Sequence, residues 1–267
     1  DAKKVTDAIA AQFAGQGLPI TVESAELSGS NVIAKGVKMK FAEADEAFTV
    51  GDVVLENVTE EGTGYLVGKI AAPSISKEEE GIKIDFGGAS LSDIHVAGAD
   101  ETDPVKQLLL YEGIDMGPVK FSQGGAEVFS IGGMKGTMGK YVPGEAMTFD
   151  AELFDLKGDL TKIPDPKTLE AISAMGYTNI DGKMTVKGTW NPADGRMAIT
   201  EGAYDFKDVG RLNMMLDISG YTPALVKAIQ DMNKNMAGQD EAAKGLAMLG
   251  LIQQLNFNSM SIRFDDA

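Results

Sequence analysis

Between residues 18 and 98, apolar and polar side chains alternate with a period of two, in runs that turn-forming residues interrupt about every ten positions. The runs cover 20–23, 32–41, 48–55, 65–70, 82–86 and 89–96. Successive side chains on a strand point to opposite faces, so this pattern buries one face of an antiparallel sheet and leaves the other wet. It predicts a β meander over 18–102. Ahead of it, 1–17 reads as a short amphipathic helix with Val5, Ala8, Ile9 and Phe13 on one side, ended by Gly15 and Gly17. Within the meander, the charged stretch 76–81 reads as a solvated hairpin tip. Adjacent carboxylates such as Glu78, Glu79 and Glu80 splay apart instead of converging on a cation.

After residue 100 a second regularity takes over. Three times a strand-like run gives way to an Asp-Pro or Thr-Pro step, at Asp103-Pro104, Asp165-Pro166 and Thr222-Pro223. An Asp or Thr side chain caps the first free N–H groups of a helix, and proline at the first helical position lacks only a donor that would be unpaired anyway. Each step is therefore a predicted helix start, followed by strands over 114–121, 180–187 and 257–264. Residues 103–267 thus read as strand-helix-strand quasi-repeats continuous with the same sheet. Glycines at 124–125, 132–133 and 136 mark bends that let a long sheet curve. The last helical region carries two apolar stripes, Leu225, Val226 and Ile229, then Leu246, Leu249 and Ile252, which predict burial against the sheet. The expected fold class is α+β and strand-dominated: a curved antiparallel sheet covered on one face by three Pro-started helical segments.

A chain of 267 residues can bury a substantial core, and its net charge of −16 repels phosphate backbones and anionic membrane surfaces. Nucleic acid is thereby excluded as a partner. No apolar run is long enough for a transmembrane segment; 246–255 is too short and contains Gln253 and Gln254. With no cysteine there is no disulfide, thiolate zinc site or cysteine nucleophile. The chain begins at Asp1 without an initiator Met, as a product with its signal peptide removed would, and its acidic, glycine-rich, lysine-poor composition suits the periplasm of a Gram-negative bacterium.

Motifs with chemical potential are few. His95 is the only histidine, so any histidine-dependent catalysis or metal binding must pass through it, and it is expected to be an ordinary sheet-surface residue. The segment from Trp190 to Gly195, with Glu201 beyond it, imitates a calcium loop but has Trp and Pro where oxygen ligands are required. It reads as a hairpin turn. The glycine-rich stretch 132–140 matches no phosphate-binding fingerprint, and Pro143 follows where a helix would be needed. We therefore expect no catalytic residue, no metal and no cofactor, and a protein that is not an enzyme. Fourteen methionines remain, of which Met214, Met232, Met236 and Met248 cluster around the final helices. Flexible, polarizable thioethers suit a surface that adapts to an apolar ligand, so these four are the candidate ligand-binding residues.

Strands of the form Val53-Val54-Leu55-Glu56-Asn57-Val58 and Gly182-Lys183-Met184-Thr185-Val186-Lys187-Gly188 resemble the exported β-rich envelope proteins of Gram-negative, alphaproteobacterial type, in the AsmA-like and YdgA-type groups. That resemblance implies a curved sheet with an apolar concave side and a role in envelope lipid handling or integrity. The expected function is a periplasmic envelope protein that binds or carries a lipid-like apolar ligand. The alternative is a structural or scaffolding protein that contacts another envelope protein through a sheet edge, and an enzyme of unknown class comes third.

Overall fold

Alternation with frequent turns produces strands that pair with their sequence neighbours. The computed structural model, which describes residues 1–40, 47–162, 178–236 and 241–266, shows this. Its N-terminal strands are β1 (Ile20–Thr21), β2 (Ser24–Ser28), β3 (Asn31–Met39), β4 (Phe48–Glu61), β5 (Gly64–Ala72), β6 (Ile75–Glu79), β7 (Ile82–Phe86) and β8 (Ala89–Val96). They continue as β9 (Gly113–Met116), β10 (Val119–Gln123), β11 (Ala126–Ile131), β12 (Gly133–Met138) and β13 (Met147–Asp159). The last four are β14 (Asn179–Asn191), β15 (Arg196–Phe206), β16 (Gly210–Ser219) and β17 (Asn256–Asp266). All seventeen join one sheet. The fold is strand-dominated, and the sheet is open, curved and antiparallel.

Several of these strands are halves of longer ribbons. β5 pairs with β8 up to Ala72↔Ala89, and β6 resumes with β7 at Ile75↔Phe86 in the same register. The pairings β8–β9 and β7–β10, then β9–β12 and β10–β11, do the same. The interruptions fall at Pro73-Ser74, Gly87-Gly88, Gly117-Pro118 and Gly132, and β13 bulges beside them, with Asp155 at φ 50. They lie next to one another: the Gly87 amide donates to the Pro118 carbonyl at 2.7 Å, the Gly117 amide to Gly88 at 2.8 Å, and the Gly132 amide to Phe154 at 3.0 Å. Proline and glycine weaken a ladder locally, so their alignment across four ribbons, with the β13 bulge beside them, creases the sheet.

Three α-helices are described: α1 (Ala2–Gly15), α2 (Pro223–Asn235) and α3 (Glu241–Ile252). Asp1 caps α1 by accepting from the amides of Lys3 and Lys4, and the apolar side predicted for it packs on the sheet. Thr222 caps α2, its Oγ1 accepting from the Leu225 amide at 3.3 Å, with Pro223 in the first turn as predicted. The core centres on Val5, Ile9, Val32, Val37, Leu55, Val67, Ile94 and Val96.

The structure corrects three expectations. No helix forms at Asp103. Its side chain caps the Val105 amide at 2.8 Å and one helical turn closes between Gln107 and the Asp103 carbonyl, but the carbonyl of Leu108 accepts from Gln12 Nε2 at 2.8 Å and that of Leu110 from the His95 amide at 3.0 Å. Those carbonyls would have carried the helix onward, so tertiary bonds overrode a sound local start. The charged stretch 76–81 is a loop only at Glu80-Gly81, whose positive φ angles of 51 and 79 make the tight turn, and Ser76 to Glu79 belong to β6. Thirdly, α3 exposes its predicted buried stripe, with Leu246 72% and Leu249 57% exposed and Ile252 also exposed, whereas Leu225 of α2 is 2% exposed. The helix start predicted at Asp165-Pro166 lies outside the described residues.

Where α2 begins, Trp190 Nε1 donates to the Tyr221 carbonyl at 2.7 Å and the two rings meet edge to face, with centroids 6.2 Å apart. Burial pushes the Tyr221 phenol above its ordinary value. The folded state therefore favours the neutral phenol, and that contribution to stability is complete below the ordinary tyrosine value and lost as pH rises through the raised one. In an ultraviolet titration the folded chain is expected to ionise later than the unfolded chain, and Tyr221→Phe to remove part of the lag. Coincident titrations would contradict the buried placement.

Candidate functional site: an apolar groove beneath the first helix

Residues directly opposite one another in an antiparallel pair face the same side of the sheet. Reading the ladders outward from β3, Val32 lies opposite Leu55, Leu55 opposite Ile70, Ile70 opposite Leu91 and Leu91 opposite Ile114. The row continues through Gly136, Ala151, Val186, Gly202 and Met214 to Ile262 on β17. No polar side chain interrupts it from one end of the sheet to the other. An antiparallel sheet with one apolar face needs a cover, and α1 supplies it over the first third.

Between α1 and this face lies a cavity of about 620 Å³. Thr6, Ile9 and Phe13 of α1 and its C-cap Gln16 form its roof, Ala34, Val37, Val53, Leu55, Ile70, Leu91 and Ile114 its floor, and Leu109 and Tyr111 one side. Not one lining residue is charged. Two polar atoms of the roof are occupied: Thr6 Oγ1 donates to the Lys3 carbonyl at 3.0 Å, and Gln16 Oε1 accepts from Gln230 Nε2 at 2.8 Å. The surface on offer is hydrocarbon. The groove is partly open to solvent and has room for about twenty waters at about 30 Å³ each. A void of this size and chemistry fits a ligand of acyl-chain size.

The cover is latched from two directions. Gln12 of α1 is buried; its Nε2 donates to the Leu108 carbonyl at 2.8 Å and its Oε1 accepts from the Ala97 amide at 3.3 Å. The segment it grips is pinned in turn by Tyr141, whose hydroxyl donates to Asp103 at 3.0 Å. Desolvation, and secondarily that bond, raise the Tyr141 phenol. From the other side, the Gln230–Gln16 bond ties α2 to the end of α1.

The four candidate methionines lie elsewhere. Met214 sits in the apolar row of β16, Met232 and Met236 on α2 and its cap, and Met248 on α3, all half-buried, and none lines the cavity. Of the lining residues, Ile9 and Phe13 were visible as part of an apolar helical stripe ahead of a one-sided sheet, whereas Leu109 and Tyr111, between β8 and β9, carried no such signal. Periodicity marks such a stripe as core and says nothing of a gap left within it.

His95 lies near the same end of the sheet. Its Nδ1 is 2.9 Å from Glu61 Oε2, and Nε2 is 4.0 Å from Glu101 Oε2. Asp93 adopts φ 51 and its pairing with Gly68 is missing from the β5–β8 ladder, but the register is the same on either side, at Lys69↔Ser92 and Val67↔Ile94, and Asp93 and His95 line one pocket. A pocket of about 400 Å³ beside His95 mixes Glu61, Lys106, Lys140 and Tyr141 with apolar residues. His95→Gln is expected to leave the chain folded, because an amide keeps a donor for Glu61. A collapsed circular dichroism spectrum would show that the imidazole is structural.

The segment from Trp190 to Gly195 forms the predicted hairpin, with Gly195 at φ 70 and the Asn191 and Asp194 side chains accepting from the Ala193 and Arg196 amides. Among the described residues no helix is long and apolar enough to cross a membrane. A family model described as an uncharacterized protein matches residues 203–267, from within β15 to the end of the chain. No curated protein and no solved structure matches the chain.

Proposed function

We propose that this chain is a non-enzymatic binding or carrier module of the Gram-negative periplasm for a lipid-like apolar ligand, held on the apolar face of the sheet beneath α1. The observation that carries the reading is the 620 Å³ cavity with no charged lining residue. An uncharged wall has nothing to neutralise a headgroup, so the ligand inserts its hydrocarbon and leaves any charge at the mouth. The excess of 40 acidic over 24 basic residues also argues against adsorption to an anionic bilayer and for a ligand taken up singly.

Titration of delipidated protein with an environment-sensitive fatty-acid probe tests this. Saturable binding is expected, with a neutral monoacylglycerol competing as well as a fatty acid of equal chain length. Val53→Trp, which fills the cavity floor, is expected to abolish binding with little change in melting temperature. The double change Met232→Gln and Met236→Gln is expected to leave it intact. Loss of binding in the methionine pair alone would move the ligand to the α2–α3 region, and absence of binding in the native chain would sink the carrier reading.

A further inference from the structure

Among the described residues β17 is bonded on one side only, to β16, and all eleven of its residues are exposed. Met260, Ile262 and Phe264 share one face of it, each more than half exposed, opposite Leu216, Met214 and Leu212 of β16. An edge strand presents a row of unpaired N–H and C=O groups, and proteins that avoid pairing blunt it by shortness, charge, proline or a cover. Other margins of this sheet use those devices. β6 has five residues and carries Lys77, Glu78 and Glu79, and β2 has five with α1 packed on it. β17 is long and has no proline; beside one bulge at Asn258 and the charges of Arg263, Asp265 and Asp266 it displays its apolar row openly.

We infer that two copies of this chain join β17 to β17, antiparallel, about a two-fold axis through Ile262. The strand is complementary to itself in that register. Ile262 meets its counterpart, Met260 meets Phe264, Ser261 meets Arg263, Ser259 meets Asp265 and Asn258 meets Asp266. Asp265 faces the Ser259 hydroxyl, Asp266 faces Asn258, whose amide already donates to Asp217 and Ser219 of β16, and no like charges oppose one another. Moving the axis to Arg263 would set two guanidiniums face to face, and moving it to Ser261 would set Phe264 against Asn258 and Phe257 against Asp265. A symmetric pairing also closes on itself, as a stable dimer must. The apolar row that runs from Val32 to Ile262 then continues without a break into the second chain. This inference does not depend on what fills the groove.

Light scattering on the full chain after size exclusion is expected to give a dimer. Ile262→Lys, which places two ammonium groups opposite each other on the axis, is expected to give a monomer with unchanged circular dichroism. Because the chain has no cysteine, the register can be read separately. Ile262→Cys is expected to form a disulfide-linked dimer when diamide is added, each pair of thiols giving two electrons and two protons to one diamide. Met260→Cys alone is not expected to link, but should link when mixed with Phe264→Cys. A native chain that stays monomeric at every concentration, a dimer that survives Ile262→Lys, or Met260→Cys linking to itself more readily than Ile262→Cys would overturn the proposal. So would a monomer whose β17 is filled by a strand of a different protein.

Discussion

Replacing Leu225 with alanine is expected to destabilise the chain by about 2–5 kcal/mol, and replacing Leu249 to change it by no more than about 0.5 kcal/mol. The two leucines lie on consecutive helices and look alike in sequence. Leu225 follows the Thr222 cap by three residues and is 2% exposed, so truncation removes buried methyl groups and leaves a cavity. Leu249 is 57% exposed and loses little contact on truncation. For a chain of this length about 1 kcal/mol moves the melting temperature by about 2–4 °C, so the first change falls well outside error and the second within it. Equal shifts would mean that α3 packs apolar side down, as its periodicity predicts.

That contrast shows where the sequence is legible. Period-two runs identified β3, β4, β5, β7 and β8, because alternation is imposed by the pleat itself and needs no knowledge of partners, whereas the charged β6 reads as a loop. Thr222-Pro223 announced α2 because capping is settled within four residues. Asp103-Pro104 carries the same signal, yet Gln12, distant in sequence by 96 residues, takes the Leu108 carbonyl that the helix required. Local rules cannot see such a competitor. The groove escaped the methionine pattern for a related reason. Methionine clustering reports soft packing somewhere in the chain, whereas the groove arises from the distance at which α1 is held above the sheet, which the Gln12 and Gln16 latches fix through long-range bonds. The apolar row from Val32 to Ile262 was half legible: each strand showed its apolar side, but only the registers reveal that those sides align into one surface.

The crease that gives this surface its curvature makes Gly117→Ala the most informative backbone change. A methyl group there would sit 2.6 Å from the carbonyl oxygen of Gly87 and 2.8 Å from its carbon, both closer than side chains ever approach and both main-chain atoms that cannot rotate away. Gly87 is equally confined, since a Cβ on it would lie 2.5 Å from Pro118 Cδ. Relief requires the two ribbons to separate, which lengthens the Gly117-to-Gly88 and Gly87-to-Pro118 bonds together. Overpacking at about 1–3 kcal/mol and two weakened hydrogen bonds at about 0.5–1.5 kcal/mol each put the expected loss at about 2–6 kcal/mol. Gly15→Ala is the control: nothing lies within 4 Å of its added methyl group, and it is expected to be neutral or slightly stabilising. Because Ile114 of the same ribbon lines the groove, Gly117→Ala is also expected to weaken probe binding in protein that remains folded at low temperature. If the variant melts with the native chain and binds the probe as well, the glycine-proline line is an incidental feature of the sheet and the curvature of the groove has another source.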